Sequence, residues 1–226
     1  MNMKAFGKKI SFRSLMPVAL IATIVLSSAF VVSNDKEASQ ILDKVSKNYR
    51  SYKTIKASFK IKIFNKQEKS SQSEKGTLFV KGKKFRVEMD GQEIYCDGKT
   101  MWTYLKDANE VQISNYNPKS SDINPSEIFT VYEKGFLSKF IGEGKKGTVV
   151  TEQIELTPTD KKKPFFKVKL TIDKVAKKII DMTVMNKNGV ESLYEITGFS
   201  PNINLEDSYF KFDKKLKPGV VEIDLR

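Results

Sequence analysis

"KKFRVEMDGQEIYCDGKTMWTYL", residues 83–105, is the stretch on which the reading of this chain turns. Phe85, Val87 and Met89 alternate with Arg86, Glu88 and Asp90, the period of two that marks a strand with one dry and one wet face. Asp97-Gly98 is a tight-turn signal between two further short strands, near 92–97 and 99–105. Yet apolar residues crowd both halves of the stretch, and no histidine, paired acid or phosphate loop accompanies them. The stretch predicts hairpins of an antiparallel sheet and raises the question of what so much apolar surface serves.

The same alternation extends outward. From Thr54, Ala57, Phe59, Ile61 and Ile63 alternate with Lys56, Ser58, Lys60 and Lys62, and Leu78 and Val80 resume the pattern after a polar loop expected over 67–75, "QEKSSQSEK". Before these strands, Ala38, Ile41, Leu42, Val45 and Tyr49 recur at helical spacing behind Asn34 as N-cap and Glu37 as its N3 acid, which predicts an amphipathic helix over 35–50. Downstream a strand is expected near 109–114. Asn124 and Pro125 then suit an N-cap and first helical residue, and Ile128, Phe129, Tyr132, Phe136 and Phe140 form a helical stripe with Gly135 as its break point. Strands are expected again over 147–157, over 164–173 with Phe166, Val168, Leu170 and Ile172 on the dry face, and over 178–186. Asn188-Gly189 turns the chain into 190–199, and "YFKF" at 209 and "VVEIDL" at 220 close it as extended pieces.

Many short strands, short connections and two helical segments predict an α+β, mainly β fold. Its expected form is a curved antiparallel sheet or unclosed barrel, with the helices laid into a concave apolar face because their stripes have no other partner. A chain of 226 residues that is 39% hydrophobic is long enough for one core, and nothing forces a second domain.

The N-terminus reads differently. Lys4, Lys8, Lys9 and Arg13 precede an almost uncharged run, Leu15 to Val32, with small residues at Ser27-Ser28-Ala29. This predicts a secretory leader, 1–29, cleaved near Ala29, ahead of one domain over 30–226; an uncleaved membrane anchor is the alternative. No cysteine follows the run to accept a lipid.

Composition excludes most chemistry. There is no histidine, so the usual general base and the commonest zinc ligand are missing, and the single Cys96 makes neither a disulfide nor a thiolate zinc site. Cys96, in step with Ile94, is expected as a small buried apolar residue. Glu88 and Asp90, two apart on one strand, are expected to belong to a solvated face rather than to a glycosidase pair. No phosphate or dinucleotide fingerprint appears. No catalytic residue, metal or cofactor is predicted. The net charge of +13 points, in an exported protein, away from nucleic acid and towards anionic surfaces, acidic partners or plain solubility.

The opening stretch also carries a resemblance. "GTLFVKGKKFRVEM" followed by "DGKTMWTY" resembles the outer-membrane lipoprotein carrier (LolA-type) family, in which a G-x-L-x-V-K strand, an F-R/N-W strand and a DGK-x-L-W-x-Y hairpin succeed one another at this spacing. "YKTIKASFKIKI" upstream, and "NPSEIF", "KNGVESLYEITGF" and "YFKFDKKLKPGVVEI" downstream, extend it over nearly the whole mature chain. The resemblance implies an unclosed antiparallel barrel lidded by helices, working as a periplasmic monomer without enzymatic activity. It would take lipoproteins from an inner-membrane lipoprotein-releasing transporter, shield their acyl chains, and pass them to an outer-membrane acceptor. Residues expected to line the acyl-chain cavity are Leu42 and Val45 from the first helix, Phe59, Ile61 and Ile63 from the first strand, and Phe85, Val87 and Met89 from the opening stretch. Ile94 and Met101 join them from the next hairpin, and Ile128, Phe129 and Tyr132 from the lid. The chain departs from the family at Gly82-Lys83, where a basic residue and a proline commonly latch the lid. Two other expectations are a lipid sensor or envelope-stress interaction protein on the same fold, with a stable protein partner, and a hydrolase working through carboxylates.

Overall fold

Strand alternation dominates the architecture of the computed structural model, which describes residues 28–65, 67–117 and 125–226. The helix α1 (Ser28–Arg50) leads into β1 (Ile55–Asn65), β2 (Ser70–Lys81), β3 (Lys84–Met89), β4 (Gln92–Cys96), β5 (Thr100–Leu105) and β6 (Glu110–Asn115). After two short 3-10 turns, Pro125–Glu127 and Val131–Glu133, come β7 (Phe136–Lys146), β8 (Val149–Pro158), β9 (Phe165–Asp173), β10 (Lys178–Asn186) and β11 (Val190–Pro201). Two more 3-10 turns, Asp207–Phe210 and Lys214–Leu216, precede β12 (Val221–Asp224).

All twelve strands among the described residues belong to one sheet, in the order β12-β6-β5-β4-β3-β2-β1-β11-β10-β9-β8-β7. Two meanders of hairpins are sewn together where β1 pairs with β11, and only β12 runs parallel to its neighbour. The borders, β7 and β12, do not meet, so the sheet is an unclosed barrel. Its inner face is written in cross-strand rows. One row runs Phe199, Ala57, Leu78, Val87, Ile94; the next runs Ile196, Phe59, Gly76, Met89. α1 lies across this face and buries Ala38, Ile41, Leu42, Val45 and Tyr49, the stripe that its spacing predicted.

The crowding of apolar residues on both halves of 83–105 has a structural answer. Phe85, Val87 and Cys96 are buried on the inner face, whereas Tyr95, Trp102 and Tyr104 point to the other side. There the C-terminal strap covers them: Phe212 lies edge-on to Tyr95 at 5.7 Å and beside Tyr104 at 5.6 Å, and Val220 is buried with Val111. Arg86 clamps the strap, its guanidinium lying 4.6 Å from the Tyr95 ring centre and 4.4 Å from that of Tyr209. Asp207 adds contacts to Lys81 at 2.9 Å and Lys84 at 2.5 Å.

Several expectations need correction. Asn34 is not a cap but lies within α1, because no glycine or proline interrupts the chain from Ser28 to Arg50. The leader, 1–29, lies for its greater part outside the described residues. The polar loop shrinks to a turn, since Ser70 pairs with Asn65 and the polar residues 70–75 form an exposed end of β2. "YFKF" is not extended: Tyr209 and Phe210 sit in a 3-10 turn that buries Phe210 completely. In β9 a register irregularity between Met185 and Asn186 of its partner turns Phe165 inward and leaves Phe166 49% exposed, against the expected face. The expected second helix is absent from the described residues. Gly135, at φ +80°, ends the segment, and Phe136 and Phe140 continue as the inward positions of β7.

Asp97-Gly98 is the predicted turn: Asp97 Oδ1 accepts hydrogen bonds from the backbone N–H of Lys99 and Thr100 at 2.9 Å each, and Gly98 takes φ +91°. Gly76 is demanded by closeness instead. A Cβ there would lie 2.4 Å from the Phe59 ring, 2.7 Å from the Glu88 carbonyl and 2.9 Å from the Met89 side chain. Because one of these is backbone, a side chain must push β2 from β3. Gly76→Val is therefore expected to cost roughly 2–4 kcal/mol in urea denaturation at unchanged m-value. Wild-type stability in that variant would mean that Phe59 does not lie over Gly76.

Candidate functional site

Between the sheet and the two 3-10 turns of 125–133 lies a cavity of about 200 Å³. Its floor is the row structure described above: Ala57, Phe59 and Ile61 from β1, Leu78 from β2, Val87 and Met89 from β3, and Ile94 from β4. Met182 from β10 and Tyr194 and Ile196 from β11 complete that floor, and Pro125, Ile128 and Phe129 form the roof. Among the described residues no charged side chain lines it. The alternation that sets Lys56, Lys60 and Lys62 on the outer face is the same one that delivers Phe59 and Ile61 here.

The roof is tied to α1. Phe129 stacks on Tyr49 with ring centres 4.7 Å apart and 14° between planes, and meets Phe199 edge-on at 6.0 Å. The Tyr132 hydroxyl accepts a hydrogen bond from Ser46 Oγ at 3.3 Å, and Glu133 forms an ion pair with Arg50. Tyr49 is fixed in turn by accepting the Ile179 backbone N–H at 3.0 Å, which joins α1 to β10. Burial pushes the phenols of Tyr49 and Tyr132 well above the ordinary tyrosine range, so both stay neutral donors and acceptors.

The cavity brings together seven of the residues expected from sequence: Phe59, Ile61, Val87, Met89, Ile94, Ile128 and Phe129. Six others lie elsewhere. Phe85 is 1% exposed and packs edge-on to Tyr116 at 5.8 Å, in a row with Cys96 and Met101 that lies beyond the cavity in the core. Met101 packs against that core and Val45 is sealed within it. Ile63 sits further along β1 than Ile61, half-buried and outside the cavity. Leu42 and Tyr132 line a different, polar groove of about 670 Å³ between α1 and the segment 132–138. Sequence reasoning missed Ala57, Leu78, Pro125, Met182, Tyr194 and Ile196. The alternation in 190–199 was visible, but its pairing of Tyr194 with Ile61 and Ile196 with Phe59 spans more than half the chain.

Chemically the described lining offers dispersion contacts and exclusion of water and, apart from the Tyr194 phenol, no nucleophile, acid or base. Cys96 is fully buried, and burial pushes its thiol up to about 11, which keeps it protonated and inert. Among the described residues no group of three or more Cys, Asp or Glu is placed to hold a metal ion.

Comparison with known proteins agrees with this geometry. Residues 50–213 match the family described as "Outer membrane lipoprotein carrier protein LolA". The outer-membrane lipoprotein carrier protein of Coxiella burnetii is 26% identical over 200 residues, covering 86% of this chain and 92% of that protein. Among solved structures, an uncharacterized conserved protein from Thermus thermophilus shares the fold at a TM-score of 0.56 and 16% identity, covering 83% of this chain and 99% of that one. A DUF1329 family protein from Desulfovibrio piger does so at 0.50 and 11%, covering 79% and 97%. With a half-open sheet, a lidded apolar cavity and the family match running from the end of α1 into the C-terminal strap, this chain belongs to the LolA family of outer membrane lipoprotein carrier proteins.

Proposed function

We propose that this protein is an exported periplasmic carrier. After loss of the leader, 1–29, the domain over 30–226 takes acyl chains of a lipoprotein or lipid from an inner-membrane lipoprotein-releasing transporter. It shields them between sheet and lid, and yields them to an outer-membrane acceptor. It works as a monomer, without cofactor, nucleic acid or covalent chemistry. The observation that carries this reading is the cavity, whose lining among the described residues is without a charged side chain and whose roof is a short segment rather than a strand of the sheet. Each methylene withdrawn from water is worth about 0.8 kcal/mol, so even part of an acyl chain supplies a large driving force.

The closed cavity is small for that task. At about 200 Å³ it is of the order of an engineered cavity of about 150 Å³ that admits benzene, so whole acyl chains enter only when the lid lifts. What holds the lid follows from exposure. Arg50 is 66% exposed in its side chain, so its pair with Glu133 contributes about 1 kcal/mol at most. Burying Phe129 contributes about 1.5–3 kcal/mol and its stacking about 1 more. The aromatic contact dominates, and the lid is held by a few kcal/mol, an amount that cargo binding can offset.

Ala57, 1% exposed on the cavity floor, supplies the test. Ala57→Phe fills the space from below and is expected to bind a fluorescent fatty-acid probe at least ~10-fold more weakly while losing only about 1–3 kcal/mol of stability. Native mass spectrometry of wild-type protein taken from its periplasm should show bound lipoprotein or lipid. A stoichiometric protein partner without lipid, or equal probe binding by Ala57→Phe, would count against a carrier.

A further inference from the structure

Besides the apolar cavity there is the polar groove on the other side of the lid, about 670 Å³ between α1 and the segment 132–138. Its size falls in the range of true ligand sites, about 300–1,000 Å³. Its walls mix hydroxyls with charges of both signs: Ser39, Asp43 and Lys47 on α1, and Glu133, Lys134 and Ser138 opposite. Such a surface suits a ligand that donates and accepts hydrogen bonds at short intervals.

Two features narrow the ligand to polypeptide main chain. First, among the described residues β7 forms one border of the sheet and pairs only with β8, so a row of its backbone groups faces away from every described strand, and the start of this border, Phe136 and Ser138, lines the groove. An unpaired strand border is a template for one more strand. Second, Glu133 holds Arg50 through Oε2, while its Oε1 is buried without a hydrogen-bond partner among the described residues. A buried carboxylate oxygen left so asks for a donor, and a backbone N–H is one.

We propose that this groove binds an extended stretch of polypeptide, the residues that follow the acylated end of the lipoprotein passenger, added along β7. The proposal rests on the carrier reading. Phe129 roofs the cavity and Glu133, four residues later, lines the groove, so a passenger with its acyl chains under the lid and its polypeptide over it straddles one short segment. Binding both parts gives discrimination that grease alone does not: a lipoprotein is held more tightly than a lipid with the same chains.

Two synthetic probes test it with the full mature protein: a diacylated cysteine, and the same diacylated cysteine bearing a five-residue peptide, which spans roughly 17 Å when extended. The peptide-bearing probe is expected to bind about tenfold more tightly and to slow amide hydrogen exchange in Phe136–Lys146, whereas the probe without peptide leaves those amides unchanged. Ser39→Trp and Ser138→Tyr, which crowd the groove from opposite walls, should each abolish the difference while binding the simple probe as wild type does. Equal affinity of the two probes in wild type, or no added protection of β7, overturns the proposal and leaves the carrier reading standing. If neither probe binds, the carrier reading fails and takes this proposal with it.

Discussion

Phe85→Glu is expected to unfold the protein. Phe85 is 1% exposed, lies in the sheet between Val80 and Cys96, and is covered by Tyr116. Removing such a ring costs about 3–5 kcal/mol, and a carboxylate left in its place without a partner costs several more. Together these approach the whole stability of an ordinary domain, about 5–15 kcal/mol. Each kcal/mol lowers the melting temperature of a chain this long by about 2–4 °C, so circular dichroism should show a drop of at least ~10 °C or no cooperative transition. The position allows no escape: β3 is paired on both sides, by β2 and β4, and the side chain cannot turn to water without breaking a ladder. A variant that melts near wild type yet fails to bind an acyl-chain probe would place Phe85 in the cavity after all.

Phe129→Glu should do the opposite. Phe129 is also buried, at 5%, but it stands on a segment between two 3-10 turns, outside any ladder, and is held by Tyr49 and Phe199. A carboxylate there reaches water if the lid lifts, so the sheet stays paired and the penalty falls on the closed state. Losing the few kcal/mol that hold the lid shifts its equilibrium by about 10²-fold or more towards open, and retention of a fatty-acid probe is expected to fall by a similar factor. The melting temperature should fall by only a few degrees. Stopped-flow release of the probe checks the first effect and circular dichroism the second. Unchanged release from a folded variant would remove Phe129 from the lid.

The contrast between these two phenylalanines marks the limit of the sequence. Both belong to apolar stripes, and periodicity ranks them alike, because a period of two or of 3.6 says which side of an element is dry and not what covers it. The strands of 83–105, the Asp97-Gly98 and Asn188-Gly189 turns, the stripe of α1 and the inert burial of Cys96 were all legible, since each rests on local geometry within a few residues. So was the unclosed antiparallel sheet, through the count of strands and the family's run of motifs. The polar end of β2 was not legible, because "QEKSSQSEK" has loop composition and is held as strand only by its ladder with β1. The lid imitates a helix in sequence because Ile128, Phe129, Tyr132, Phe136 and Phe140 keep helical spacing across Gly135, and only the pairing of β7 with β8 converts the last two into strand positions. Tertiary structure alone assigned the other face of the opening stretch to the C-terminal strap, set Tyr194 and Ile196 beside Ile61 and Phe59, and separated Phe85 in the core from Phe59 in the cavity. The amino-acid sequence by itself determined which faces avoid water; which of them are packed in the core and which line the cavity is a matter of long-range pairing, and no local pattern encodes it.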